Sequence, residues 1–428
     1  MRASVLIILT AVSAVLATNA RVESMGKTAT FFMDDMSIYE NPANVSIYPN
    51  FLIGEAGHMT IFKDTSALSE NQDPSEPYGG GILSLSLSKD KDGESRYPML
   101  SVGVMLNHRN EMIDVLLDAA EANGHKIPTP VVPNSDFFIG YALPNGTMIG
   151  GHFYAARQNI TVPQDSILVN KSTLTETGLD FTDSEFSAIK AAGSASLNWI
   201  SNAIRGDIGV NMPIGQNKDL EVALGVGLLN YHGPSVSAIG PLGIEAYDDL
   251  DFSMFFSARL FSTMVSLNGE IVPVVKYKSI SVRKYEKSEF DVGVGANITL
   301  DRGFFWFGAE VISSTTKKRG GSEKNQIDIP LGFGIERNVV WDWLVLRVGL
   351  RKTIWGTEEN SGGLTMNFSN PEADMTSRDH VGGGIGINIE ERLKIDAVMA
   401  EDILYKWGNL ISGNSHHIFT RITATYSF

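Results

Sequence analysis

A side-chain pattern with a period of two recurs along most of this 428-residue chain, and it constrains the fold more than any other feature. The stretch from Ile82 to Ser88 reads I-L-S-L-S-L-S, with apolar and small polar residues in alternation. Successive side chains of a strand point to opposite faces, so this stretch predicts a strand with one apolar and one polar face. About sixteen such segments follow one another from residue 51 onward, of which the first, at 51–62, is the least regular.

Residues 1–20 have the composition of a signal peptide, with a basic start at Arg2, an apolar stretch and a small-residue cleavage site at Ala20 or Ala17. After them, no apolar run approaches the roughly 20 residues that a membrane-crossing helix needs. An exported chain of this kind enters a bilayer only as a closed barrel, because a barrel satisfies every backbone polar group. The alternative is a water-soluble β-sandwich.

The lengths of the connections favour the barrel. Long connections alternate with tight ones, in the order 401–414, 390–392, 354–379, 337–340, 315–324 and 301–302 when read back from the C-terminus. Outer-membrane barrels have long loops outside and short turns in the periplasm, whereas a sandwich has no reason to keep that order. We therefore predict an all-β fold, a transmembrane antiparallel up-and-down β-barrel of 14 to 16 strands formed by residues 51–428.

The alternation also assigns the two faces of the barrel wall. We expect an outer, lipid-facing set that includes Ile329, Leu344, Leu346, Ile385 and Ile387. The charges on the opposite faces are expected in a hydrated lumen; they are Arg205, Asp207, Asp328, Glu336, Arg347, Arg351, Glu390 and Arg421. Aromatic residues at the short-turn ends predict an interfacial girdle formed by Trp341, Trp343, Phe304 to Phe307, Tyr426 and Phe428.

Two helical patterns interrupt the strands, at 110–122 and 184–192. Both fall in connections that we place outside the cell. Short loop helices there would pack on the barrel rim, or alternatively cover the pore mouth or frame a ligand entrance.

Composition excludes several functions. The chain has no cysteine, so disulfides, cysteine-ligated zinc and a thiol nucleophile are excluded. Its net charge of −15 argues against nucleic-acid binding. None of its eight histidines lies in a serine-hydrolase or metal motif. We expect a protein that is not an enzyme and that has no cofactor and no metal.

A short motif, Asp34-x-x-Ser37-x-x-x-Asn41-Pro42-Ala43, stands ahead of the first strand. Asn is a favoured helix N-cap and Pro is tolerated in the first turn, so the motif predicts an abrupt turn or a short capped helix. In an exported barrel it resembles the N-terminal segment of the long-chain fatty acid transporter (FadL-like) family and of its PorV-like branch found with type IX secretion. The resemblance covers about ten residues and the general architecture, and the glycine-rich run usual before the acidic residue is missing.

The resemblance implies that residues 21–50 form a plug in the barrel, held by Asp34, Ser37 and Asn41 and turned by Pro42. The last strand, ending in Tyr426 and Phe428, resembles the closing strand of bacterial outer-membrane barrels, whose terminal Phe is read by the barrel-insertion machinery. Outer-membrane lipids and lipopolysaccharide are the expected surroundings in the cell outer membrane.

Three functions compete. The first is a channel or transporter for hydrophobic small molecules, with the plug as its hatch. The second is a PorV-like secretion accessory or scaffold, whose extracellular loops at 159–183 and 354–379 bind a protein partner. The third is a general porin, which ranks last because an open pore needs no plug of thirty residues.

Overall fold

The computed structural model is a closed antiparallel barrel of 16 wall strands, which confirms the predicted fold class. The structure describes residues 19–26, 28–57, 77–89, 95–108, 134–163, 196–233, 247–282, 285–317, 323–339, 341–360, 363–367, 380–390, 392–399 and 419–428. No helix in these ranges is long and apolar enough to cross a membrane.

The strands follow one another around the barrel in chain order. They are β1 Phe51–Gly57, β2 Tyr78–Lys89, β3 Ser95–Leu106, β4 Asn134–Ala142, β5 Met148–Pro163, β6 Ser196–Pro213, β7 Lys218–Gly233, β8 Tyr247–Met264, β9 Gly269–Val282, β10 Tyr285–Leu300, β11 Gly303–Lys317, β12 Glu323–Asn338, β13 Leu344–Asn360, β14 Gly363–Asn367, β15 His380–Ile389, β16 Leu393–Met399 and β17 Phe419–Ser427. The strand β14 is an addition to the wall, because β13 pairs with β15 through its first half and with β14 only near its end.

The barrel closes where its last strand meets its first. Phe51 lies opposite Ser427 in the antiparallel pairing of β1 with β17, and β1 also pairs with β2. The amide of Phe428 donates a hydrogen bond to the carbonyl oxygen of Asn50 (3.0 Å). The C-terminal aromatic residue therefore lies at the seam, with its side chain 57% exposed on the outside.

The outer face of the wall is apolar, as the alternation predicts. Ile208 is 66% exposed, Val226 56% and Ile139 56%, while their neighbours along each strand are buried. Leu346 lies on this face, and its cross-strand neighbour is Ile385. An apolar band of this extent suits lipid rather than water, and it identifies a membrane-spanning barrel of the outer-membrane type.

The connections are short at one end of the barrel and mostly long at the other. The short ones are 143–147, 214–217, 265–268, 301–302, 339–343 and 390–392, and long ones at the opposite end are 58–77, 107–133 and 164–195. The exceptions at the long end are the two-residue link 283–284 and the five-residue link 318–322, which is shorter than the predicted 315–324 because β11 continues to Lys317 and β12 starts at Glu323. The predicted helices at 110–122 and 184–192 lie outside the described residues.

Two local predictions need correction. The expected long connection 354–379 starts later, because β13 continues to Asn360 and β14 follows it. Phe304 and Trp306 do not join the aromatic girdle; they alternate with Phe305 and Phe307 on the strand and therefore point into the lumen, where Trp306 is fully buried. Trp341 and Trp343 are exposed, and their rings stack with centroids 5.3 Å apart.

Candidate functional site

The chain ahead of β1 lies inside the barrel. Residues 19–50 form a short helix, α1 (Asn19–Ser24), and two 3-10 helices, Asp35–Ile38 and Pro42–Ser46. Most of their side chains are buried. The contacts described below join this N-terminal segment to inward-facing residues from β1 around to β15, so it occupies the lumen rather than one side of the wall.

The motif residues make the turns that the sequence predicts for them. Asp34 caps the first 3-10 helix by accepting from the Met36 amide (2.9 Å), and Asn41 caps the second by accepting from the Ala43 amide (3.1 Å). The Asn41 side chain also donates to the carbonyl of Val210 on β6 (3.1 Å). Pro42 occupies the first helical turn, where its missing N–H costs nothing.

Ser37 holds the two turns together by accepting a hydrogen bond from the Asn44 side chain (3.1 Å). Asn44 in turn accepts from Asn211 on β6 (3.2 Å). Ser37 and Asn44 are completely buried, and Ala43 beside them is also fully enclosed.

Glycines on the inner face of the wall make room for the segment. A β-carbon added at Gly384 would lie 2.5 Å from the β-carbon of Ser24. Added β-carbons at seven other wall glycines would overlap the segment in the same way, at Gly140, Gly150, Gly209, Gly295, Gly308, Gly349 and Gly382. The strands that carry these glycines extend around nearly the whole circumference of the barrel. Each position needs glycine because the segment approaches the backbone of the wall.

Arg21 is the central charge of the segment. Its guanidinium, 1% exposed, donates to Glu336 on β12 (Nε to Oε2, 2.5 Å) and pairs with Asp34 (3.3 Å). It also lies over the ring of Phe304, 4.9 Å from the centroid. Glu336 is shared with Arg347, which continues to Asp396 on β16 (2.6 Å). The partner of Asp34 is therefore Arg21, a residue of the segment itself.

A second charge cluster holds the other end of the segment. Glu40 accepts from Lys276 on β9 (2.8 Å) and pairs with Arg259 on β8 (3.1 Å). Arg259 also binds Glu221 (2.7 Å) and donates to the carbonyl of Ala29 (3.2 Å). Burial would raise the pKa of Glu40, but the Lys276 ammonium and the Arg259 guanidinium outweigh burial and lower it to about 2. Glu40 is thus a carboxylate, and the cluster is a buried network of paired charges.

Tryptophan and histidine side chains of the wall bind the backbone of the segment. Trp306 donates its Nε1–H to the carbonyl of Met25 (3.2 Å), and His380 Nε2 lies 2.8 Å from the carbonyl of Glu23. Asn297 donates to the carbonyl of Phe31 (3.0 Å). Each of these side chains binds a backbone carbonyl of the segment, and the carbonyl of Glu23 also accepts from the Gly26 amide (3.3 Å).

Of the predicted lumen charges, all but one lie on or toward the inner face. Arg205 binds Asp207 (2.8 Å), Arg351 binds Glu310, and Arg421 binds Glu55 (2.9 Å) and Glu23 (3.3 Å). Asp328 is 5% exposed and accepts from Gln326. The exception is Glu390, which lies exposed in the turn after β15 with a left-handed φ of 52°, because the strand ends at Ile389.

The sequence pattern missed a buried histidine network beside the segment. His152 on β5 lies between Asp136 on β4 (2.8 Å) and Asp207 on β6 (2.6 Å), in neighbouring strands. Nearby, the ring of His108 stacks on the ring of Tyr39 of the segment, with the centroids 3.8 Å apart. The only signal in the sequence is that Asp136, His152 and Asp207 belong to the inward-facing set of three consecutive strands.

Two small cavities are found among the described residues. One, of about 10 Å³, lies between the segment and β1 to β3, and the other, of about 20 Å³, lies beside Arg205 and Phe255 on the wall. In the described part of the chain, no group of three or more His, Asp or Glu residues is placed to hold a metal ion.

Several solved structures are similar to this chain, and they differ in the share of their own length that this chain covers. CdiB from Acinetobacter baumannii matches 89% of this chain with 11% identity and a TM-score of 0.41, and this chain spans 59% of its length. CymD, a monoaromatic hydrocarbon channel, matches 95% of this chain and 96% of its own length, with 9% identity and a TM-score of 0.36. The toluene transporter TodX of Pseudomonas putida matches 96% of both chains with 9% identity and a TM-score of 0.32.

No family model matches the sequence. No curated protein matches it either. At the identities and TM-scores above, the structural similarities carry no argument about function, which must come from the lumen itself.

Proposed function

We propose that this protein is an outer-membrane channel for small hydrophobic molecules, closed by residues 21–50 acting as a plug. The observation that carries the proposal is the position of the N-terminal segment, buried inside a barrel wide enough to conduct. Barrels of 16 strands leave an aqueous channel unless something occupies it. Here the occupant is a segment of the same chain.

The way in which the segment is held supports a removable plug. Among the described residues, the segment joins none of the strand ladders and bonds to wall backbone amides through Asn50 at its end, so a shift of residues 24–44 would leave the hydrogen bonds between wall strands intact. It is held instead by side-chain contacts, chiefly those of Arg21, Glu40 and Asn41. A shift of the segment would open a path without unfolding the barrel.

The lining beside the segment supports a ligand with apolar character. Ile38 and Met36 of the segment face Phe51 and Ile53 of β1 and Met105 of β3 across the smaller cavity. In the closed state this space holds only a water-sized group, and the plug must move before a hydrocarbon passes through the barrel.

The test is deletion of residues 24–44 followed by conductance measurements in planar lipid bilayers. The deletion variant should still fold, which heat-modifiable electrophoretic mobility reports, and it should conduct ions where the intact protein conducts little. Equal conductance of the two proteins would contradict the plug and, with it, the channel. Uptake of a hydrophobic probe into proteoliposomes then tests the ligand class.

The second candidate function is a PorV-like scaffold that binds a protein, and the length of the strands favours it. A membrane-crossing strand needs about 9–11 residues. The strands β6 and β8 each have 18 residues, and the strands between β5 and β13 are similarly long. This part of the wall is longer than the bilayer requires and extends beyond it. A deletion of 24–44 that leaves conductance unchanged but abolishes the binding of another protein would favour this function.

A further inference from the structure

The smaller cavity is lined by a buried carboxyl group, that of Asp35. The cavity lies between the N-terminal segment and the strands β1 to β3, and its volume of about 10 Å³ is that of a single water-sized guest. The segment contributes Asp35, Met36, Ile38 and Tyr39 to its lining, and the wall contributes Phe51, Ile53, Tyr78 and Met105.

Asp35 is 2% exposed, and neither of its carboxylate oxygens has a hydrogen-bond partner among the described residues. The cations of the surrounding network face other carboxylates: Arg21 pairs with Asp34 and Glu336, and Arg421 with Glu55 and Glu23. A buried carboxylate without a partner is costly. Burial and the adjacent Asp34 carboxylate raise the pKa of Asp35 well above its ordinary value, which is the expected response to a missing cation.

The rest of the lining suits an organic cation. Three aromatic residues, Tyr39, Phe51 and Tyr78, surround the cavity, and aromatic rings attract ammonium groups through their negative faces. Two of the other lining side chains are methionines, whose flexible thioethers adapt to guests of different shape. A metal ion such as calcium would need six or more oxygen ligands, which this lining does not supply. A neutral hydrocarbon would leave Asp35 without a partner.

We propose that this cavity binds the ammonium head of a small protonated amine, with Asp35 as its counter-ion. The head fits the space that is present, and the alkyl part occupies the volume that Met36 and Met105 vacate when their side chains rotate. The acidic chain, with a net charge of −15, attracts cations toward the site. The site belongs to the N-terminal segment and requires no transport, so the inference goes beyond the proposed channel.

The experiment is calorimetric titration of the detergent-solubilised protein with methylammonium chloride at constant ionic strength, with sodium chloride as the reference titration. We expect saturable binding of methylammonium, weakened at least tenfold in Asp35→Asn. Tyr78→Leu should weaken binding by a smaller factor, because it removes one ring and keeps the carboxylate. Asp342→Asn is the matched control, since its carboxylate is 87% exposed in a turn of the same protein.

Asp35→Asn replaces a buried carboxyl group by a neutral group of the same shape, so it should fold at least as well as the wild type. Higher thermal stability of Asp35→Asn in the absence of amine is a second expected result. Equal heats for methylammonium and sodium in the wild type would overturn the proposal, as would equal methylammonium affinity in Asp35→Asn. Neither result would affect the conductance test of the plug, which involves no amine.

Discussion

Replacing Arg21 by methionine should release the N-terminal segment. The guanidinium is buried, and it pairs with Asp34 at 3.3 Å and with Glu336 at 2.5 Å while lying over the ring of Phe304. Methionine keeps the length and the apolar packing of the side chain but removes the charge. Asp34 then loses its cation in a site where it has no exposure, whereas Glu336 keeps Arg347.

Breaking a buried ion pair by removing one partner costs about 3–5 kcal/mol, because the other charge stays buried. If Asp34 is buried only when the segment is docked in the lumen, this cost raises the free energy of the docked state and leaves the undocked state unchanged. At about 1.4 kcal/mol per tenfold change, the ratio of undocked to docked segment rises by roughly two to three and a half orders of magnitude.

The assay is the open probability of single Arg21→Met channels in planar bilayers. Arg302→Met is the matched control, because Arg302 is 52% exposed and its pair with Asp342 spans 3.5 Å at the surface, where such pairs contribute little. The double variant Arg21→Met, Asp34→Asn should recover part of the closed state, since asparagine still caps the turn without a charge. Unchanged open probability in Arg21→Met, with a folded barrel, would refute this account of the segment.

Three further predictions follow from the wall and the segment. Gly349→Val should raise the open probability, because its side chain overlaps the backbone of Met25, while Gly206→Val, with no described atom within 4 Å of the added β-carbon, should leave it unchanged. The folded pKa of Glu40 is lowered to about 2 from an ordinary 4.5, so its contribution to docking is complete above pH 4.5 and is lost as the pH falls toward 2. Conductance should rise over that window in the wild type, and Glu40→Gln should weaken the dependence while the Arg21–Glu336 pair keeps a part of it. Ile208→Arg should reduce the unfolding free energy in lipid by about 2–4 kcal/mol, measured by urea titration in vesicles, whereas a value near zero would place Ile208 away from the lipid.

The sequence predicted the wall well because one physical rule governs it. Each strand must present apolar side chains to lipid and other side chains to the lumen, so a period of two identifies both the strands and their orientation. The alternation of long and short connections then distinguished a barrel from a sandwich. The errors at Phe304 and Trp306 arose where the girdle was assigned by position along the chain and the alternation was not applied to each residue.

The contents of the lumen were less predictable. Asp34 and Asn41 cap local turns, and local capping is visible in the sequence. The partner of Arg21 on the wall is not visible in the sequence, because Glu336 is 315 residues away and only the closed barrel brings the two side chains together. The wall glycines had a weak signal, since they alternate with lipid-facing residues, but their role depends on the path of a segment that has no periodicity of its own.

The most direct test of the account is the accessibility of the N-terminal segment, and the absence of cysteine from the chain makes it clean. A single cysteine is introduced at Ala43, which is 0% exposed, or at Val265, which is 82% exposed in the turn between β8 and β9. The rate of reaction with a membrane-impermeant maleimide is then measured on the folded protein in lipid vesicles open to reagent on both sides. A segment docked in the lumen predicts that Ala43→Cys reacts at least a hundredfold more slowly than Val265→Cys, and that Arg21→Met in the same chain accelerates it. Equal rates for the two cysteines in the otherwise unaltered protein would contradict the occupied lumen on which the account depends.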